Sequence, residues 1–191
     1  MPEGSVPFPA AIICHPHPLF GGSMDNNVIN SLFAALSRTS FVLLKFNFCG
    51  VGGSEGEFSH GIGEQEDVCA AISFISKVEG VDLERMAIVG YSAGAAFSLP
   101  VGFKDDRIKA LAAISPPLDM SDFEFLRNCL KPKLLISGGQ DDFTPSSSFL
   151  EFCQMLPEPN EYYIIEAADH FWWGYEDIIA AKVAAFLNSV L

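Results

Sequence analysis

One stretch constrains this chain more than any other: Gly90-Tyr91-Ser92-Ala93-Gly94. The apolar run Met86-Ala87-Ile88-Val89 leads into it, and small residues from Ala93 to Leu99 lead out. The first run reads as a buried strand and the second as a helix, so the serine sits on a sharp strand-to-helix turn. The turn is strained, and a Cβ on either flank would strike the neighbouring strand or helix; glycine at both flanks avoids this. The helix behind it aims unpaired N–H groups and its positive dipole end at the serine. In that setting the pattern G-x-S-x-G is a nucleophile elbow.

The rest of the chain repeats the alternation. Residues Met1 to Pro9 read as an extended lead-in and Ala10 to Cys14 as a short buried strand. His15-Pro16-His17-Pro18-Leu19-Phe20-Gly21-Gly22 is a loop, and Ser23 is placed to cap a helix to about Arg38. Phe41 to Phe48 is a continuous apolar strand of the kind covered on both faces. Gly50 to Gly56 is a tight loop, followed by a helix from Glu64 to Val78. Beyond the elbow come a strand at Ala110 to Ile114, a weak helix at Ser121 to Cys129 and a strand at Lys133 to Ser137. A helix at Ser146 to Met155, a strand at Tyr162 to Glu166 and a helix at Asp177 to Leu191 complete the series. Strand–helix alternation demands parallel strands with right-handed crossovers. The expectation is one α/β domain over residues 1–191, a doubly wound, mostly parallel sheet of about six strands.

Composition narrows the function. With 49% hydrophobic and 18% charged residues, the chain folds around a real core. A formal net charge of −13 argues against nucleic acid and against anionic membrane, which both need basic patches. Five scattered cysteines without C-x-x-C spacing suggest reduced thiols rather than a disulfide framework or a zinc knuckle. No leader and no membrane-spanning run is visible, so a soluble cytoplasmic protein is expected, as monomer or homodimer, with no cofactor and no metal.

In an open α/β sheet, ligands bind beyond the carboxyl ends of the strands. Ser92, Asp141 or Asp142, and His170 each follow such an end. A carboxylate that orients an imidazole, which takes the proton of a serine, is the arrangement for acyl transfer. Asp141 is preferred over Asp142 by its place relative to Pro145, and Asp119 is a weaker alternative one strand earlier. Asp169 is adjacent to His170 and is expected to serve the loop. His15-Pro16-His17 also admits a metal-dependent hydrolase, although Pro16 and Pro18 restrict the loop. Gly50 and Gly52 imitate a dinucleotide fingerprint, but Glu55 stands where it needs glycine, so the loop reads as a backbone turn.

These residues resemble the α/β-hydrolase superfamily. More closely they resemble its small, lidless, dienelactone-hydrolase-like group of serine hydrolases. The resemblance rests on His15 to Asn26, Phe46 to Gly56, Gly90 to Gly94, Ser137 to Pro145 and Ala168-Asp169-His170-Phe171. It implies Ser92 as nucleophile, His170 as base and Asp141 as its partner. It also implies oxyanion donors at the Ala93 N–H and the His17 N–H, with Leu19 as runner-up to His17. The resemblance departs at three points. Cys49 stands where the family's glycine loop carries arginine. The chain reads as starting at the family's third strand, without the usual first hairpin, so an exposed sheet edge is expected. The elbow holds serine where dienelactone hydrolase itself holds cysteine.

The expected reaction is hydrolysis of carboxylic esters of small to medium acyl groups, with thioesters and lactones as further substrates. Phe20, Tyr91, Phe143, Phe171 and Trp172 are expected to line an open cleft. The competing reading is a catalytically silent binding protein on the same fold.

Overall fold

The computed structural model describes residues 7–191; residues 1–6, most of the expected lead-in, lie outside the described residues. Six strands form one sheet: β1 (Phe8–Cys14), β2 (Val42–Lys45), β3 (Val81–Tyr91), β4 (Ile108–Ile114), β5 (Lys133–Gly138) and β6 (Asn160–Ile165). Their order is β2-β1-β3-β4-β5-β6, and every pairing is parallel. Between them run α1 (Asn27–Leu36), α2 (Ile62–Ile75), α3 (Ala93–Lys104) and α4 (Ser146–Gln154), and α5 (Glu176–Val190) follows β6.

Alternate strand residues feed two cores. Ile12, Ile88, Leu111 and Leu135 face α2, α3 and α4, whereas Ile13, Val89, Ala112 and Ile136 face α1 and α5. A sheet buried on both faces explains the continuous apolar runs of its central strands. The direction of winding reverses at β1 and β3. The chain leaves β1 outward to β2, then returns to β3 on the other side of β1. The carboxyl ends of β1 and β3 therefore flank the crevice where such sheets bind ligands. Between β4 and β5 the only regular element is a 3-10 turn, Glu124–Asn128, so no lid covers the crevice among the described residues.

Several boundaries differ from expectation for identifiable reasons. Strand β1 starts at Phe8, inside the expected lead-in, because the Phe8 N–H donates to the Gly80 carbonyl. Helix α1 starts at Asn27 because Asn26 caps it by accepting from the Val28 N–H; Ser23 instead accepts from Asp25. Strand β2 is a half-buried edge strand, not a doubly covered one. It stops at Lys45, and the Phe48 N–H leaves the ladder to donate to the His15 ring. Helix α3 runs past Pro100 to Lys104 because Leu99 and Val101, on either side of the proline, are buried in the core. The expected helix at Ser121 to Cys129 is only the 3-10 turn.

Candidate active site

Strand β3 delivers Ser92 in the left-handed region, at φ 54° and ψ −123°. A non-glycine residue held there stores strain, which the surroundings must enforce. They do so by crowding. A Cβ at Gly90 would lie 2.4 Å from the Ala95 Cα, and one at Gly94 would lie 2.4 Å from the Cys14 carbonyl oxygen. Helix α3 thus butts against the end of β1, and only glycine at both flanks permits that approach.

The Ser92 hydroxyl lies 2.9 Å from His170 Nε2. His170 Nδ1 lies 2.9 and 3.0 Å from the two carboxylate oxygens of Asp141. Ser92 comes from the end of β3, Asp141 from the loop after β5 and His170 from the loop after β6. All three residues are largely buried. Burial works against the Asp141 charge. The His170 ring N–H, the nearby Ser115 hydroxyl and the Phe143 N–H outweigh it and hold the carboxyl below its ordinary range. Asp142, one residue on, is exposed, as is Asp119. Asp169 accepts from the Phe171 and Trp172 N–H groups and so serves its own loop.

The His170 loop is tied down from two further sides. The Tyr91 hydroxyl donates to the His170 carbonyl at 2.7 Å. Asn27, at the start of α1, donates to the Phe171 carbonyl and to Glu176. Neither tie was visible as a sequence pattern, because each joins residues far apart in the chain.

Most N–H groups of the β1 loop are absent or already paired. Pro16 and Pro18 have no N–H. The Leu19 N–H donates to His17 Nδ1, the Phe20 and Gly22 N–H groups to the His17 carbonyl, and the Gly21 N–H to the Pro18 carbonyl. Among the described residues, the His17 N–H and the Ala93 N–H donate to no protein acceptor. The two histidines of this loop have separate fates. His15 is fully buried, with Nδ1 on the Pro16 carbonyl and Nε2 accepting from the Phe48 N–H. Both its nitrogens are spent on the fold, so it does not pair with His17 as a ligand. Burial pushes the His15 pKa down, which keeps the ring neutral.

A cleft of about 780 Å³ opens over Ser92. Phe20, Tyr91, Phe143 and Phe171 line it; Trp172 does not. Its backbone turns at φ 64°, and its ring is wholly buried in the core with Nε1–H donating to the Ser115 hydroxyl. Phe58, Phe97, His60 and Met120 line the cleft without having been anticipated. Cys49, in place of the family's arginine, is held by Asp67. Its N–H and Sγ reach the two carboxylate oxygens at 2.8 and 3.0 Å. That hydrogen bond, with burial and the Asp67 charge behind it, pushes the thiol pKa up to about 11.

No protein-family model matches the chain. An uncharacterised protein of Rickettsia prowazekii is 32% identical over 172 residues, which are 86% of this chain and 72% of that protein. An α/β serine hydrolase homologue from Coxiella burnetii is 30% identical, with a TM-score of 0.86 over 100% of this chain and 88% of the other. An α/β serine hydrolase without a lid, from Xanthomonas campestris, is 26% identical, with a TM-score of 0.84 over 100% and 86% of the two chains. Some curated relatives are longer: the chain spans 39% of one from Escherichia coli and 63% of one from Mycobacterium tuberculosis.

Proposed function

From the premise that this chain belongs to the α/β-hydrolase family, we propose that it is a serine hydrolase that cleaves carboxylic esters. One observation carries the reading. A continuous Ser92–His170–Asp141 hydrogen-bond chain stands on an open cleft, beside two N–H groups that no protein atom uses.

The steps follow from that geometry. Ser92 Oγ attacks the ester carbonyl as its proton passes to His170 Nε2. The carbonyl electron pair moves onto oxygen, which accepts from the Ala93 and His17 N–H groups. Asp141 stays ionised, holds the ring with its proton on Nδ1 and stabilises the imidazolium. The bond from carbon to the leaving oxygen breaks, and His170 Nε2–H protonates that oxygen. Water then gives a proton to His170 and its oxygen to the acyl carbon. The Ser92–acyl bond breaks, and Oγ recovers its proton from Nε2. The catalytic unit is one domain, acting on small-molecule esters.

The deciding experiment is reaction of purified protein with a fluorophosphonate, read by intact mass. One adduct on wild type, none on Ser92→Ala and very slow labelling of His170→Ala are expected. A folded wild type that forms no adduct would refute the reading and leave a silent binding protein.

A further inference from the structure

The rings around the cleft fall into two groups, one about His170 and one about His17. Tyr91, Phe143 and Phe171 lie 4.5–5.9 Å from the His170 ring, centroid to centroid. The second group surrounds His17: Phe20 at 4.7 Å, Phe58 at 4.8 Å and Phe97 at 6.5 Å. Phe58 and Phe97 also meet each other at 6.3 Å, and His60 extends the wall 5.0 Å beyond Phe58. All of these rings line the one cleft.

Stereochemistry assigns the two groups. The attacked carbon carries four substituents: Ser92 Oγ, the oxyanion, the leaving oxygen and the acyl chain. The oxyanion points at the free N–H groups, and the leaving oxygen must come within reach of His170 Nε2. The leaving group therefore lies along the His170 rings. The acyl chain takes the rest of the cleft, where the rings around His17 stand together. Phe20 stands 85% exposed in the free protein, an apolar surface that an acyl group would cover.

We propose, on the serine-hydrolase reading above, that this wall is an acyl subsite for an uncharged aryl group. Rings pack on rings edge-to-face or offset, and gain from that geometry beyond what their buried area supplies. The tilts of His17 against Phe20 and Phe58, 49° and 48°, leave both faces and edges for an incoming ring to meet. Charge on that ring is unfavourable. Among the described residues no aspartate, glutamate, lysine or arginine lines the cleft, so a charge drawn into it loses water and finds no permanently charged partner.

The test compares two para-nitrophenyl esters, of phenylpropanoate and of cyclohexylpropanoate, with the acetate as small reference. The leaving group and the atoms beside the carbonyl are the same, so the ratio of kcat/KM isolates the ring. Wild type is expected to favour the phenyl ester about fivefold. Phe58→Leu should bring the ratio to about one, and Phe58→Tyr should keep it. Any general loss in a variant cancels in the ratio. A carboxylate or ammonium on the phenyl ring should lower kcat/KM at least about tenfold. A wild-type ratio of one or less, a ratio unmoved by Phe58→Leu, or a preference for the charged ring would overturn the subsite while acetate turnover left the hydrolase intact. No turnover of any ester, with no fluorophosphonate adduct, would bring down the hydrolase reading and the subsite together.

Discussion

Gly94→Ala tests whether the elbow works by close approach. Gly94 sits in the first turn of α3, outside the left-handed region, so alanine suits its backbone. Alanine also favours helix over glycine by about 1 kcal/mol. Space is the obstacle. The new Cβ would stand 2.4 Å from the Cys14 carbonyl oxygen and 2.5 Å from that of His15, where ordinary contact begins at 3.4 Å. Both oxygens are backbone and cannot swing aside, so α3 and the end of β1 must part by about 1 Å. Overpacking of this kind costs about 1–3 kcal/mol, partly offset by the helix gain. The Ala93 N–H rides on α3 and the His17 N–H on the β1 loop, so the same shift pulls the two donors apart. Losing one oxyanion donor costs about 10²–10³ in rate, and a 1 Å misplacement about 10². The expected variant is folded, within about 2 kcal/mol of wild type in urea unfolding, yet about a hundredfold slower in fluorophosphonate labelling and ester turnover. A folded Gly94→Ala that reacts within about threefold of wild type would refute this account of the elbow.

Three further outcomes follow from the same geometry. Asp141→Asn should leave the fold intact and lower kcat by about 10⁴, by favouring the wrong His170 tautomer, while exposed Asp142→Asn should change kcat less than about twofold; equal losses would reverse the assignment of the acid. The Cys49 thiol, pushed up to about 11 by its bond to Asp67, should alkylate with iodoacetamide at least about tenfold more slowly than exposed Cys69 at about pH 8. Asp67→Asn should remove most of that protection, as peptide mass spectrometry would show. Folded His15 has its pKa below its ordinary 6.5 through burial, so below about pH 6.5 the unfolded chain binds a proton the folded chain refuses. Stability should therefore fall with falling pH in that window, by up to about 1.4 kcal/mol per pH unit from this group. Urea unfolding at about pH 7.5 and about pH 5.5 should show a smaller loss for His15→Asn than for wild type; equal losses would deny His15 this part.

The sheet and the meeting of Ser92, His170 and Asp141 were legible because both obey order along the chain. Apolar runs separated by helical stretches dictate parallel strands, and Ser92, Asp141 and His170 each stand just past such a run. Residues whose role depends on which way a side chain turns were not legible. His170-Phe171-Trp172 reads as one aromatic patch, yet left-handed backbone at Trp172 sends its ring into the core while Phe171 stays on the cleft. Strand β2 has the composition of a central strand, and only the order of pairing makes it an edge. Phe58 and His60 lie between the Gly50–Gly56 loop and α2, in a stretch without periodicity, and Phe97 sits in a helix where an aromatic normally means core. Periodicity reports burial, and Phe58 and Phe97 are shared between core and cleft.

That division has a consequence for how the site varies. Ser92 is set by β3 and α3 packing on β1, and His170 by Tyr91, Asn27 and Asp141. These ties join strand ends and helix starts, where a shift of one group strains a whole element. The aryl wall is held differently. Phe20 belongs to a short 3-10 turn and Phe58 to the stretch between β2 and α2, and both reach the cleft from outside the sheet. Loops accept substitution more readily than the elements they join. Changes at Phe20 and Phe58 should therefore move the choice of acyl group while leaving Ser92 armed, whereas changes at Gly94 or Tyr91 should slow every substrate alike. On the proposed reading, Phe20 and Phe58 should tune substrate range apart from reactivity, whereas Phe97, on α3 with the elbow, should couple the two.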